Sequence, residues 1–225
     1  MRKAITTIIA AAALVAGVTG PAAAADDLAA WRGGFPPASA IGASLGTYSQ
    51  APEVTAEMFK GRWYVCADLQ ARPTTGIATA TYVTTPITQS GVRADARVYA
   101  SRGAAKAAFT AITSRLSRCA GSGVEESEPG SGMKWVVTTS VGKVPAVPGD
   151  GKGSLFVYER EKPAKGSKAT QQQLGSSFSV LTLVGDTILV SDATVSGAAS
   201  LSKAQRDAVA AFAGAFVQSW SAANG

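Results

Sequence analysis

Two arginines and a tyrosine are the residues of this chain best suited to form a polar binding site. Arg93, Arg97 and Tyr99 alternate within residues 93–100, with Asp95 between the arginines. Residues two apart in a β-strand lie on the same face, so these side chains would share one surface. Guanidinium groups and a phenol ring can bind an anionic or sugar-like ligand through charge-assisted hydrogen bonds and ring stacking. The alternative is the solvated face of an antiparallel sheet.

Asp192 is the fourth candidate ligand-binding residue, because it interrupts an otherwise apolar run at residues 187–195. Two carboxylates suffice for glycoside hydrolysis, one as the acid and the other as the base or nucleophile. Asp95 and Asp192 would be that pair in an extracellular hydrolase. The structural alternative is that Asp192 hydrogen-bonds to the backbone, to Ser191 or to a buried arginine.

The chain contains no histidine. This excludes a Ser-His-Asp triad, a Cys-His pair and the commonest zinc sites. A Gly-x-Ser-x-Gly motif at residues 42–46 lacks the strand, the helix and the histidine partner that such a nucleophile requires. The glycine-rich residues 149–153 lead into a predicted strand, whereas a phosphate-binding loop opens a helix. We therefore expect a non-catalytic protein without a metal ion or cofactor.

Residues 1–25 have the pattern of a secretory signal peptide. Arg2 and Lys3 precede an apolar run, and small residues at positions 23–25 match a cleavage site. The alternative is a retained anchor, but the run is barely long enough to span a bilayer and glycine and proline interrupt it. We expect a secreted protein, loosely held at the cell wall or free, with no membrane segment after cleavage.

Charge and cysteine content constrain the exported domain. The net charge of the full chain is +6, and cleavage would remove two of those positive charges. No run of basic residues is interleaved with aromatic residues, so we expect no nucleic-acid partner. The two cysteines, Cys66 and Cys119, predict one disulfide in an oxidising compartment. By the chain-entropy argument, such a bridge would stabilise the fold by roughly 4 kcal/mol.

The pattern along the chain predicts an extended N-terminal arm over residues 26–60, with a short helix at 52–59, followed by one domain over residues 61–225. Strands are predicted wherever β-branched residues or apolar alternation occur. A glycine-first pair at residues 185–186 predicts a hairpin turn. The predicted strands span residues 62–69, 78–85, 93–100, 133–141, 155–159, 178–184 and 187–195.

Two amphipathic helices are predicted. Ser101 can cap the first, whose apolar positions run from Ala105 to Cys119 at helical spacing. Ser202 and Gln205 form a capping box for the second. The predicted fold is α+β: a mostly antiparallel twisted sheet of six or seven strands, with the two helices covering one sheet face and one disulfide. We expect a monomer.

Four parts of the chain, in their order, resemble the PknH-like extracellular sensor domains of actinobacteria. They are residues 93–101, the helix end Ser117-Arg118-Cys119, residues 187–191 and the closing helix. The resemblance extends over about residues 62–222 and implies an α+β domain with a cleft for an unidentified ligand. Family members typically carry more than one disulfide and a tryptophan near the position of Leu116, and this chain departs from both features.

These observations together predict a secreted, non-catalytic, sensor-like domain that binds an unidentified extracellular ligand. One alternative is the carboxylate hydrolase described above. Another is a secreted inhibitor or partner-binding protein acting through the loop-like residues 142–153 or 162–177.

Overall fold

The computed structural model describes residues 21–48, 51–58, 63–65, 68–70, 74–83, 91–119, 121, 123–127, 132–142, 155–168, 175–196 and 200–225. The fold is α+β. The helices are α1 (Pro21–Gly33), α2 (Arg102–Cys119) and α3 (Lys203–Asn224). The strands are β1 (Glu53–Met58), β2 (Trp63–Val65), β3 (Asp68–Gln70), β4 (Gly76–Tyr82), β5 (Gly91–Val98), β6 (Gly123–Ser127), β7 (Lys134–Gly142), β8 (Leu155–Pro163), β9 (Gly175–Val184) and β10 (Thr187–Ser196).

Eight of these strands form one sheet in the order β1-β4-β5-β10-β9-β8-β7-β6, and every neighbouring pair is antiparallel. β2 and β3 pair with each other in a separate hairpin, and β2 contacts α2. The expected count of six or seven strands was therefore too low for the described residues. Residues 53–58 and 123–127 form the two edge strands, although the sequence pattern predicted a helix for the first and no strand for the second.

The two long helices lie on opposite faces of the sheet, which corrects the expectation that both cover one face. Leu189 on β10 packs in the core beneath α3, whereas Ile188 packs in the core beneath α2. Adjacent residues of a strand point to opposite faces, so these two cores are separated by the sheet. The first half of β10 is apolar at consecutive positions, which is the pattern of a strand covered on both sides.

Helix α3 begins and packs as the sequence indicates. The Ser202 hydroxyl accepts a hydrogen bond from the Gln205 backbone N–H at 3.2 Å, and the Gln205 side chain accepts one from the Ser202 N–H at 2.8 Å. Its apolar stripe is buried against β9 and β10. Ser101 likewise caps α2, accepting from the Ala104 N–H at 3.2 Å. The β9–β10 hairpin turns at Gly185, whose φ is +56°.

The N-terminal segment is not an extended arm. It contains α1, two 3-10 turns at Ala38–Ala40 and Ala43–Leu45, and the edge strand β1. Trp31, Ile41 and Leu45 are buried in the core beneath α3, so the segment is part of that core. The expected helix at residues 52–59 is wrong, because residues 53–58 pair with β4 as a strand. Val54 and Ala56, two residues apart, both pack on that core, which is the spacing of a strand.

Three further expectations, the disulfide and the two loops, involve residues that lie partly outside the described part of the chain. Cys66 lies outside the described residues and the side chain of Cys119 is not described, so the disulfide stays a prediction. Residues 143–154 also lie outside the described part. The expected loop at residues 162–177 is shorter, because β8 continues to Pro163 and β9 begins at Gly175.

Tyr82 connects the N-terminal segment to the sheet. Its hydroxyl donates a hydrogen bond to the Pro36 carbonyl oxygen at 2.7 Å, and its ring meets Phe212 of α3 edge to face at 5.2 Å. The side chain is only 2% exposed, and this burial raises the pKa of the phenol well above its ordinary value. A neutral, hydrogen-bonded phenol is therefore part of the core.

We predict that Tyr82 causes no pH dependence of the free energy of unfolding below pH ~10. Above that value, its contribution makes the free energy of unfolding decrease as the pH rises. The unfolded phenol ionises near pH 10 while the folded one keeps its proton, giving a slope of at most about 1.4 kcal/mol per pH unit. Tyr82→Phe should remove this slope in urea titrations at pH 8 to 11. Tyr48→Phe is a comparison variant: burial also raises the pKa of Tyr48, so its removal should reduce the slope as well, but by less than Tyr82→Phe. Parallel curves for Tyr82→Phe and the unaltered protein would contradict the prediction.

Candidate functional site

A polar surface of the sheet runs across four adjacent strands, β4, β5, β10 and β9. One row of direct cross-strand partners consists of Thr81 of β4, Arg93 of β5, Asp192 of β10 and Ser179 of β9. Side chains opposite each other in such a row have Cβ atoms roughly 5 Å apart. The row therefore places two hydroxyl groups, a guanidinium and a carboxylate along one continuous line. We call this row, together with Thr79, Asp95 and Arg97, the polar face.

Asp95 organises the centre of the polar face. One of its carboxylate oxygens accepts a hydrogen bond from the Thr79 hydroxyl at 2.7 Å and another from the Arg93 Nε at 3.0 Å. Asp95 is 8% exposed, whereas the Arg93 side chain is 54% exposed. The carboxylate is thus fixed within the sheet, and the guanidinium that pairs with it extends towards solvent.

Asp192 is fixed in a similar way by a hydroxyl group. The Ser179 Oγ donates to its Oδ1 at 2.7 Å. The sequence allowed a hydrogen bond between Asp192 and the backbone, Ser191 or a buried arginine. The structure shows a hydrogen bond with Ser179 of the adjacent strand. Asp192 also lies opposite Arg93, so the row alternates in charge.

Arg97 lies at the border between the polar face and helix α2. Its cross-strand partners are Ile77 and Ile188, and Ile188 packs beneath α2. Burial in these apolar surroundings lowers the pKa of the Arg97 guanidinium, and Arg93 acts in the same direction. The carboxylate of Asp95 and the phenol of Tyr99 act in the opposite direction. Arg97 is therefore a half-buried cation at the edge of the polar face.

The structure places Arg93, Arg97 and Asp192 on one face of the sheet, and Tyr99 lies close enough to Arg97 for its phenol to affect the pKa of the guanidinium. The alternation is as expected, but Tyr99 comes after the end of β5 and is buried beneath α2 together with Phe109 and Ile112. Its backbone N–H donates to the Asp186 carbonyl oxygen at 3.0 Å. Trp63 and Tyr64 do not extend the polar face through pairing with β5, because the strand neighbours of β5 are β4 and β10. The expected ring stacking beside Arg93 is therefore not provided by Tyr99.

Tyr99 instead lines a cavity of about 720 Å³ at the end of the sheet. Helix α1, the start of β4, the β9–β10 turn and the last turn of α3 surround this cavity. Sequence reasoning missed the cavity because its lining comes from five separate segments. Only the Gly185-Asp186 turn was noted from the sequence, as a hairpin signal.

The Gly-x-Ser-x-Gly motif has a packing role. The Ser44 hydroxyl donates to the Ala204 carbonyl oxygen at 3.1 Å, and Leu45 is buried. A Cβ atom at Gly42 would lie 2.8 Å from the Cβ of Ala208, so glycine permits the 3-10 turn to approach α3 closely.

Among the described residues there is no group of three or more His, Cys, Asp or Glu side chains arranged to hold a metal ion. A search of the same part of the chain finds no helix with the length and apolarity needed to cross a bilayer.

Comparison with known proteins gives one informative result. No family model matches the chain, and no curated protein matches it. The fold is similar to the crystal structure of the extracellular domain of PknH from Mycobacterium tuberculosis, with a TM-score of 0.57 and 13% sequence identity. The match covers 88% of this chain and 96% of that domain. The chain therefore shares the α+β fold of that extracellular domain.

We predict that Asp95→Asn lowers the free energy of unfolding by about 1–3 kcal/mol, because it weakens two hydrogen bonds to a buried charge. Arg93→Gln should cost less than about 1 kcal/mol, since the arginine is more than half exposed and its ion pair is screened by water. Asp207→Asn, which alters an exposed pair with Lys203, is the control and should resemble Arg93→Gln. Chemical denaturation measures all three, and equal losses for Asp95→Asn and Arg93→Gln would contradict this assignment of roles.

Proposed function

We propose that this protein is a secreted, non-catalytic, sensor-like domain that binds a small polar ligand of the cell envelope or extracellular space on the polar face. The observation that carries the proposal is the continuous row of Thr81, Arg93, Asp192 and Ser179 across four paired strands. Strand pairing holds these side chains in a fixed arrangement, and a fixed set of donors and acceptors reduces the entropic cost of binding.

The charge balance of the polar face favours a ligand rich in hydroxyl groups over a strongly charged one. Arg93 and Arg97 are matched by Asp95 and Asp192, and the Arg93 Nε already contacts Asp95. A multiply charged anion would have to displace that contact, whereas a sugar can use guanidinium donors and carboxylate or hydroxyl acceptors together. We therefore favour the sugar-like class among the anionic and sugar-like ligands expected from the sequence.

The extracellular location has two supports. The first is the signal-peptide pattern of residues 1–25. The second is the shared fold with the extracellular domain of PknH. The net positive charge of the chain would also favour contact with anionic wall polymers.

A carboxylate hydrolase is the alternative function. It would need one of Asp95 and Asp192 to donate a proton and the other to act as base or nucleophile. Asp95 accepts hydrogen bonds from Thr79 and Arg93, and Asp192 accepts one from Ser179. Oδ1 of each carboxylate is thus already engaged by a neighbouring side chain, which leaves less of either group to act on a substrate. These contacts support the non-catalytic proposal.

We predict saturable binding of a neutral oligosaccharide, measured by thermal shift and calorimetry with chitotriose and maltotriose and with glucose 6-phosphate as an anionic comparison. Arg97→Gln should weaken the binding at least about tenfold, as expected when a charged hydrogen-bond donor is lost. Arg102→Gln, at the exposed start of α2, is the matched control and should bind like the unaltered protein.

The outcomes separate the two functions. Hydrolysis of either oligosaccharide that is abolished in Asp95→Asn or Asp192→Asn would replace the binding proposal with the hydrolase. Equal weakening by Arg97→Gln and Arg102→Gln, or binding only of glucose 6-phosphate, would contradict a sugar site on the polar face.

A further inference from the structure

The cavity at the end of the sheet has a charge opposite to that of the chain as a whole. Among the residues that the structure describes, the charged side chains that line it are Asp27 of α1 and Asp186 of the β9–β10 turn, with no lysine or arginine. Both aspartates belong to exposed residues. The last turn of α3, which closes one side, also carries no basic residue. The cavity is therefore locally acidic in a protein whose net charge is +6.

Aromatic side chains form a large part of the remaining lining. Trp31, Tyr99 and Trp220 come from three different elements and are each more than nine-tenths buried. Aromatic faces attract cations through their quadrupole, most strongly for tryptophan. A volume of about 720 Å³ lies within the range of cavities that hold small organic ligands.

The walls of the cavity are held by hydrogen bonds that do not depend on a ligand. The Tyr99 N–H bonds to the Asp186 carbonyl oxygen at 3.0 Å, and the Thr187 hydroxyl bonds to the Asp186 carboxylate at 3.0 Å. On the opposite side, the Asn224 amide donates to the Trp220 carbonyl oxygen at 3.2 Å and to that of Ala30 at 3.5 Å. These contacts fix the carboxylate of Asp186 and connect α3 to α1.

We propose that this cavity is a second binding site, which takes a small organic cation consisting of an ammonium group with an apolar substituent. Asp27 and Asp186 attract the ammonium group, and the tryptophan and tyrosine side chains contact both its charge and the apolar part. The same two carboxylates repel anions. The site is distinct from the polar face, where two arginines balance two aspartates.

The proposal is tested with three ligands of similar size and different charge: benzyltrimethylammonium, benzyl alcohol and benzoate. Binding is measured by tryptophan fluorescence, and its position by NMR shifts of the Gly185 and Asn224 amides. We expect the cation to bind at least about tenfold more tightly than the other two, from Coulomb attraction and cation–π contact.

Two variants and two controls locate the effect. Asp186→Asn keeps an acceptor for Thr187 but removes the charge, and should weaken cation binding severalfold without affecting benzyl alcohol. Asp27→Asn, at an exposed helix position, should also weaken cation binding severalfold without affecting benzyl alcohol. This variant replaces Asp186→Asn as the test if Asp186→Asn folds poorly. Asp207→Asn removes a charge outside the cavity lining, and Arg93→Gln alters the row of the polar face. Both controls should bind the cation like the unaltered protein.

Equal affinity for the three ligands would overturn the proposal, as would equal weakening by Asp186→Asn and Asp207→Asn. Shifts confined to residues of the polar face would overturn it as well. Arg93 belongs to the row that carries the proposed function and does not line the cavity, so Arg93→Gln should weaken sugar binding and leave cation binding unchanged. Failure of this proposal is therefore distinguishable from failure of the proposed function.

Discussion

The structure depends on one constraint, which is that the β9–β10 hairpin is buried on both faces. Leu189 and Val180 point into the core beneath α3, while Ile188 and Leu181 point into the core beneath α2. Burying a side chain of this size contributes about 1.5–3 kcal/mol, so the hairpin needs a helix on each side to bury all of them. The two helices therefore lie on opposite faces, and the N-terminal segment joins the α3 side through Trp31, Ile41 and Leu45.

The polar face follows from where α2 ends its contact with the sheet. The row that contains Arg97 has Ile77 and Ile188 as neighbours, and the next row pairs Thr79 with Asp95. The row after that contains Thr81, Arg93, Asp192 and Ser179. Along these strands the side chains thus change from apolar to polar within four residues. The same strands that form the α2 core hold the polar groups in place beside it.

Local patterns in the sequence were enough to predict the elements that are periodic by themselves. The alternation around Arg93, the stripe of α3 and the capping box of Ser202 are all observed, because each depends on neighbours within a few residues. The strands at residues 53–58 and 123–127 were missed because their pairing partners, β4 and β7, decide their conformation. Which face of the sheet each helix covers, and where the cavity beside Tyr99 forms, depend on contacts between distant segments. The periodicity of a sequence carries no information about such contacts.

The different charge of the two proposed sites reflects their positions in the sheet. A charge in the middle of a sheet is partly removed from water, and an unbalanced charge there is costly. Arg93 and Arg97 accordingly alternate with Asp95, and Arg93 lies across from Asp192, so positive and negative side chains are balanced on this surface. Asp186 lies in an exposed turn, where its carboxylate is open to water. Unbalanced negative charge costs less there, and our proposal of a cation site at the sheet end rests on this difference.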